Sequence, residues 1–199
     1  MYILFEGIDG VGKSTQIKRI SKFYNNVLIT KEPGATPFGN KIRDILLHGK
    51  LQLSKKAEMF LFLADRAEHT QSVIEKNKDK LILSDRGFIS GISYAITNDS
   101  ELSFDTLLSF NKFALNNNMP DKIIFFKANE SLILKRFKLR SKKDTIEQRG
   151  IKYLLQVQEN MENTIDKLGI QSLKIDANLK KDEITKQIIN FINLDKDKI

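Results

Sequence analysis

Residues 5–15 read FEGIDGVGKST, and from Gly7 to Ser14 they match G-x-x-x-x-G-K-[ST], the pattern of a phosphate-binding P-loop. The flanks fit as well, because residues 2–5 form a short apolar run that predicts a buried strand, and residues 14–24 predict an amphipathic helix. Glycines can turn successive backbone N–H groups towards phosphate oxygens, and the helix points the positive end of its dipole at the same place. A chance glycine-rich turn after a strand is the alternative, but strand, loop, Lys-Ser pair and helix occur here in the required order.

The polar residues of the loop have separate expected roles. Lys13 would place a full positive charge near the β- and γ-phosphates, and the Ser14 hydroxyl is a hard oxygen ligand suited to Mg²⁺. We expect the nucleotide phosphates to be bound along the whole loop, by Gly7, Ile8, Asp9, Gly10, Val11, Gly12, Lys13, Ser14 and Thr15.

Composition sets limits on the class of protein. The 199 residues are enough for a single domain with its own core, and the absence of cysteine excludes disulfides and thiolate metal sites. No apolar run is long enough to span a bilayer, and the first strand begins at Tyr2, so we expect a cytoplasmic enzyme without a signal peptide. The net charge of +8 is compatible with nucleic-acid binding or polyanionic substrates, but we attribute most of it to a lysine-rich surface.

Strand and helix patterns alternate along the rest of the chain. Further strands are predicted at 27–30, 81–86, 121–128 and 172–176, and helices at 38–47, 54–76, 87–97, 104–115, 131–140, 151–168 and 182–193. This alternation predicts an α/β fold with a five-stranded parallel sheet and helices on both faces. Such a sheet would bring the P-loop, the loop after Glu32, the Asp85-Arg86 pair and the turn at Asp176 to one edge.

Two further stretches are expected to lie beside the site, namely the loop at 31–37 and the Asp85-Arg86 pair. Residues 31–37 read KEPGATP, and two prolines and a glycine predict a loop. Asp85 and Arg86 end an apolar strand, where an acid would lie close to the Mg²⁺ of a P-loop protein. A simple surface pair is the alternative, and it is weaker because the strand is apolar up to the pair.

Two further patterns have competing interpretations. Phe62, Arg66 and His69 share one face of the helix predicted at 54–76, and periodicity alone favours ordinary core packing for that face. Residues 135–143 carry six cations, which indicate either a solvated helix face or a lid over the transferring phosphoryl group.

Taken together, these motifs resemble the thymidylate kinase family over nearly the whole chain. The P-loop is shared by many kinases, whereas the Glu-Pro-Gly loop combined with LADRAEH is far more specific. The resemblance rests on FEGIDGVGKST at 5–15, EPGATP at 32–37 with IR at 42–43, LADRAEH at 63–69, Asp85-Arg86, and IDA at 175–177.

The resemblance implies roles for the acceptor site. Asp9 would hold the 3′-hydroxyl of the acceptor, and Arg66 and Arg86, helped by Arg43, would hold its phosphate. Phe62 would stack on thymine, in place of the core interpretation above. The remaining members of the implied acceptor site are Glu32, Pro33, Ser90 near the base, and Tyr94, which would crowd the 2′ position of the sugar.

The resemblance also implies how the lid works. The P-loop has Asp9 and Val11 where some family members carry an arginine, so this chain resembles the variety with a basic lid, here at about 136–150. Arg136 would then contact ATP and Arg140 would be catalytic, with Lys138 where another arginine is common. Three positions depart from the family pattern, namely Gly87, Ala95 and Gln158.

The implied reaction is transfer of the γ-phosphoryl group of ATP to dTMP, giving ADP and dTDP for dTTP synthesis, with Mg²⁺. Lys13, Arg86, Arg140 and Asp9 would be the catalytic residues. A homodimer through the helices at 54–76 and 88–97 is expected, without nucleic-acid or membrane partners. The alternatives are another nucleoside monophosphate kinase, or a nucleotide-dependent nucleic-acid-binding module, for which no recognition-helix or RNP-type motif is present.

Overall fold

The computed structural model describes residues 1–49, 51–138 and 149–194, and its centre is a parallel sheet. The strand order is β2-β3-β1-β4-β5, and every neighbouring pair is parallel. The five-stranded sheet predicted from the sequence is therefore confirmed. Its strands are β1 (Tyr2–Glu6), β2 (Val27–Lys31), β3 (Leu81–Asp85), β4 (Lys122–Lys127) and β5 (Ser172–Asp176).

Helices connect the strands and cover both faces of the sheet. They are α1 (Lys13–Ile20), α2 (Pro37–Arg43), α3 (Lys55–His69), α4 (Phe88–Asn98), α5 (Phe104–Ala114), α6 (Glu130–Lys138), α7 (Ile151–Leu168) and α8 (Lys181–Asn193). Helix α1 packs on α8, and α3, α4, α5 and α7 pack on one another.

Capping residues account for the starts of two helices. Helix α2 begins at Pro37, the position where a proline costs no hydrogen bond, and the Thr36 hydroxyl accepts from the Gly39 N–H at 2.9 Å. Ser54 caps α3 by accepting from the Ala57 N–H at 3.3 Å.

The structure corrects the ends of the same two helices. The regular α-helical turns end at Arg43 and His69, and wider π-helical turns follow at Asp44–His48 and Thr70–Ile74. The sequence patterns predict single α-helices at 38–47 and 54–76. They do not reveal the π turns, because the apolar spacing barely changes across one such turn.

The central strands carry the core. All residues of β1 are buried, and in β4 the residues before Lys127 are buried too, as expected for strands covered on both faces. The edge strand β2 is more open, with Ile29 48% exposed. Within the described residues, no helix is long and apolar enough to cross a membrane.

The register of the sheet determines which loops meet. Phe5 pairs with Asp85, Lys31 pairs with Asp85, and Lys127 pairs with Asp176. The carboxyl ends of β1, β2, β3 and β5 therefore lie along one edge, as predicted, and open α/β sheets bind ligands at this edge.

Candidate active site

The P-loop between β1 and α1 has the backbone conformation that its glycines permit. Gly7 has φ 140°, and a Cβ there would lie 2.7 Å from the carbonyl oxygen of Phe126. Gly12 has φ 103° and immediately precedes α1. A side chain at either position would strain the loop, so both glycines are required by the fold.

Lys13 is buried in the loop. Its Nζ donates to the carbonyl oxygens of Gly7 and Ile8 at 2.9 and 3.0 Å, and lies 4.0 Å from Oδ1 of Asp85. Burial, with a smaller contribution from the nearby charge of Arg86, lowers the pKa of Lys13 to about 8 against the opposing effect of the neighbouring carboxylates.

The P-loop forms one wall of a cleft of about 990 Å³. Gly7, Ile8 and Val11, which the sequence predicts to contact nucleotide, are buried and do not line the cleft, whereas the other predicted P-loop residues line it. This donor cleft is lined by Asp9, Gly10, Gly12, Lys13, Ser14, Thr15, Lys31, Glu32, Arg43, Asp85 and Arg86.

The predicted Mg²⁺ ligands lie together at the donor cleft. The Ser14 hydroxyl donates to Oδ2 of Asp85 at 2.5 Å, and both side chains present hard oxygen atoms. In the described ranges no group of three or more His, Cys, Asp or Glu side chains could hold a metal ion. A pair of protein oxygens fits Mg²⁺, which usually keeps several waters and is bound through one or two side chains plus substrate phosphates.

A second cleft, of about 540 Å³, adjoins the first. All nine residues that the sequence assigned to acceptor binding line it, together with Leu47, Gly87 and Gly91. Asp9, Glu32, Arg43 and Arg86 line both clefts, so the acceptor cleft opens directly onto the donor cleft. The nine are Asp9, Glu32, Pro33, Arg43, Phe62, Arg66, Arg86, Ser90 and Tyr94.

Arg86 has a left-handed backbone, with φ 73°, at the junction of the two clefts. Its N–H donates to the Phe5 carbonyl and its own carbonyl accepts from the Ser84 hydroxyl, both at 2.9 Å. Its guanidinium donates to Oγ of Ser90 at 3.0 Å and pairs with Asp9 at 2.8 Å. Burial by itself would lower the pKa of Arg86, but the charges of Asp9, Tyr94, Glu6 and Asp85 together outweigh it and raise the pKa, so the side chain stays cationic.

Glu6 is a site residue to which sequence reasoning gave no role. Its buried carboxylate accepts from the N–H groups of Gly87 and Ser90 at 3.0 and 3.1 Å, and from the Ser90 hydroxyl at 2.5 Å. It therefore caps the start of α4 and also holds the hydroxyl that accepts from Arg86. Burial raises the pKa of Glu6 above its ordinary value. The available sequence signal was an acid at the end of a fully apolar strand.

Arg66 is 2% exposed and held by two other elements. Its Nε donates to Oε2 of Glu32 at 2.9 Å, its Nη2 forms an ion pair with the same oxygen at 2.8 Å, and its Nη1 donates to Oδ1 of Asn111 at 2.5 Å. Gly91 lies on the other side of the guanidinium, where a Cβ would be 3.0 Å from Nη1. Sequence reasoning missed Asn111 and Gly91, because no local pattern links either to Arg66.

Glu32 lines the acceptor cleft and is held through both of its carboxylate oxygens. One carboxylate oxygen accepts from Arg66 and the other pairs with Nδ1 of His69 at 2.8 Å. Burial by itself would raise the pKa of Glu32, but the charge of Arg66 and the hydrogen bond from His69 hold it below its ordinary value.

The apolar part of the acceptor cleft comes from α3 and α4. Phe62 is half-buried, packs against the main core and lines the cleft as well, so the same side chain belongs to both the core and the cleft wall. The Tyr94 ring is buried and lies 6.3 Å from that of Tyr153. Arg43 donates to the Pro33 carbonyl at 2.9 Å, which joins α2 to the Glu-Pro-Gly loop.

The three departures from the family pattern have structural explanations. A Cβ on Gly87 would lie 2.7 Å from Cδ1 of Leu4, so Leu4 fills the space of a side chain there. Ala95 is buried in the core and does not line the acceptor cleft. Gln158 is buried on α7, and its amide pairs with the backbone N–H and carbonyl of Ala128 at 2.8 and 2.9 Å.

Of the predicted lid at 136–150, only the two ends, 136–138 and 149–150, lie within the described residues. Arg136 donates to the carbonyls of Gly10 at 2.5 Å and Ala177 at 3.0 Å, which joins α6 to the P-loop and to the turn after β5. Burial lowers the pKa of Arg136. The predicted catalytic Arg140, the side chain of Lys138 and most of the lid segment 136–150 lie outside the described residues.

Comparison with known proteins agrees with this geometry. The chain matches the thymidylate kinase family over residues 5–188. It is 53% identical to "Thymidylate kinase" from Campylobacter concisus over 97% of this chain and 99% of that protein. It is 47% identical to the protein of the same name from a Sulfurovum species, over 98% of this chain and 100% of that protein.

A solved thymidylate kinase from Candida albicans has the same fold, with a TM-score of 0.74 at 24% identity, covering 98% of this chain and 91% of that one. The P-loop, the adjoining acceptor cleft and these full-length matches agree, and the chain belongs to the thymidylate kinase family.

Proposed function

We propose that this protein transfers the γ-phosphoryl group of ATP to dTMP, giving dTDP and ADP. The observation that carries the proposal is the junction of two clefts, one built on the P-loop and one lined by arginines, with Asp9 and Arg86 in the walls of both. Two phosphorylated ligands bound in these clefts would meet end to end, as an in-line transfer between nucleotides requires.

On the donor side, the P-loop N–H groups and Lys13 would bind the triphosphate. Ser14 and Asp85 would hold a Mg²⁺, which would offset the negative charge of the phosphates. Lys13 and Arg86 would stabilise the charge that develops on the transferring group. Arg136 and Arg140 would supply further positive charge from the lid.

On the acceptor side, the guanidinium groups of Arg66 and Arg86, with Arg43, suit the oxygens of a monophosphate. Asp9 would accept from the 3′-hydroxyl, and Phe62 would stack on the thymine ring. Tyr94 would narrow the space beside the 2′ carbon and favour deoxyribose. The acceptor phosphate is already ionised, so the reaction needs alignment and charge stabilisation rather than a strong general base.

The test is a coupled ADP assay with ATP and dTMP, dUMP, GMP, AMP or CMP. We expect dTMP to be the best acceptor, and Lys13→Ala to reduce turnover by at least about a thousandfold, because it removes a charge aimed at the transferring group. Lys22→Ala is the matched control, since Lys22 is exposed beyond the end of α1. Preference for a purine monophosphate would indicate another nucleoside monophosphate kinase, and near-normal turnover of Lys13→Ala would overturn the mechanism.

We also propose a cytoplasmic homodimer, with α3 and α5 at the interface. The support is the exposed apolar surface of Phe60, Phe110 and Phe113, of which Phe113 is 89% exposed. Helix α4, which the sequence analysis assigned to the interface, has most of its side chains buried within the chain against α3, α5 and α7. The cysteine-free composition fits a reducing compartment.

A further inference from the structure

A row of buried polar side chains runs behind the acceptor cleft. In order it contains Thr30, His69, Glu32, Arg66 and Asn111, and each is at least nine-tenths buried. The successive contacts are Thr30–His69 at 2.7 Å, His69–Glu32 at 2.8 Å, Glu32–Arg66 at 2.8 Å and Arg66–Asn111 at 2.5 Å. The row joins β2, α3 and α5. Two of its members, Glu32 and Arg66, also line the acceptor cleft.

The contacts of Arg66 determine its orientation. Within the row, Nε and Nη1 of Arg66 donate to Glu32 and Asn111, and Nη2 forms an ion pair with Oε2 of Glu32, which leaves at least one further N–H on Nη1 and one on Nη2. Gly91 of α4 closes the space beside Nη1. The direction of the two remaining N–H groups therefore depends on where Oε2 of Glu32 is held.

His69 holds the other oxygen of that carboxylate. Ionised Glu32 can only accept, so Nδ1 of His69 carries the proton that joins them. Nε2 of His69 pairs with the Thr30 hydroxyl, which is part of β2. Without this imidazole, Oε1 of Glu32 would lose the partner that stops the carboxylate from rotating.

We propose that His69 is a positioning residue for the acceptor phosphate. By holding Glu32, it directs the free N–H groups of Arg66 towards the phosphate oxygens in the acceptor cleft. This inference rests on the proposed function and adds to it a residue that does not line either cleft.

The chain offers a matched pair of variants. His69→Asn places an amide nitrogen near the position of Nδ1 and can still donate to Glu32. His69→Gln places its amide near the position of Nε2 and keeps the contact with Thr30 instead. We expect the KM for dTMP to stay within about threefold in His69→Asn and to rise about tenfold or more in His69→Gln, because a hydrogen bond to a buried charge is lost. The KM for ATP should change little in both.

Thymidine binding distinguishes positioning of the phosphate from a purely structural role, because structural damage to the cleft would weaken thymidine binding as well. Thymidine lacks the phosphate, so its inhibition constant should be the same in both variants and in the wild type. Ser93→Ala is the control for removing a buried polar group nearby, because Ser93 donates to the Ile89 carbonyl at 2.7 Å and is not in the row.

The outcomes separate this inference from the function itself. If the wild type does not phosphorylate dTMP, the proposed function fails. If it does, but the two variants have the same KM for dTMP, or bind thymidine as poorly as dTMP, His69 is not a positioning residue. If neither variant folds, Thr30→Val decides: we expect a rise of about threefold in the KM for dTMP with thymidine binding unchanged, and no rise would overturn the inference.

Discussion

Asp65, next to Arg66 on α3, is a buried carboxylate with incomplete pairing. Its Oδ1 accepts from the Gly34 N–H at 3.0 Å, and its Oδ2 has no hydrogen-bond partner within the described part of the chain. Burial and, to a smaller extent, the charge of Glu32 raise the pKa of Asp65 from 3.8 to about 6. Ionising this residue therefore destabilises the fold around the Glu-Pro-Gly loop.

The sign of the resulting pH dependence follows from the raised pKa. The contribution of Asp65 to stability is fully present below pH 3.8 and is lost as the pH rises through about 6. Between pH 4.5 and 7.5 the loss is about 2 kcal/mol. We expect Asp65→Asn to remove this component, measured as the change in the free energy of urea unfolding between the two pH values. Asp105→Asn, at an exposed position, is the control, and an unchanged pH dependence in Asp65→Asn would contradict the prediction.

At the scale of elements, Gln158 attaches α7 to the end of β4. Its amide satisfies both backbone groups of Ala128, just before α6 begins. We expect Gln158→Leu to lower the free energy of unfolding by about 2–4 kcal/mol, because two buried backbone groups lose these partners. Its kcat with dTMP should be preserved, since Gln158 lines neither cleft.

The matched control for this prediction is Gln156→Leu, an exposed position on the same helix, which should change stability by less than about 0.5 kcal/mol. Urea unfolding and the ADP assay measure the two effects. If both substitutions destabilised the protein equally, helix solvation rather than the contact with Ala128 would be responsible.

At the scale of the whole molecule, the proposed dimer depends on aromatic side chains of α3 and α5. The Phe60 and Phe110 rings lie 6.2 Å apart, and Phe113 extends beyond them into solvent. We expect the double variant Phe110→Glu and Phe113→Glu to halve the mass measured by light scattering, because it places charges in an apolar interface. Phe23→Glu, 64% exposed after α1, should leave the mass unchanged. A wild-type protein that is monomeric at all concentrations would exclude the dimer.

The amino-acid sequence by itself determined the features that depend on local patterns. The P-loop conformation follows from glycines within a few residues of one another, and the strands follow from short apolar runs between turn residues. The nine acceptor residues implied by the thymidylate kinase motifs all lie around one cleft in the structure. Whether the inward face of α3 was core or site could not be decided from periodicity, because Phe62 belongs to both.

Only the tertiary structure decided how the site residues are held. Arg66 bonds to Asn111, which is 45 residues away, and Glu6 bonds to Gly87, which is 81 residues away. Such contacts depend on strand register and on how the helices pack, and neither is encoded in the spacing of nearby residues. The predicted site residues that line the clefts could therefore be named from the sequence, whereas the partners that hold them required the packed fold.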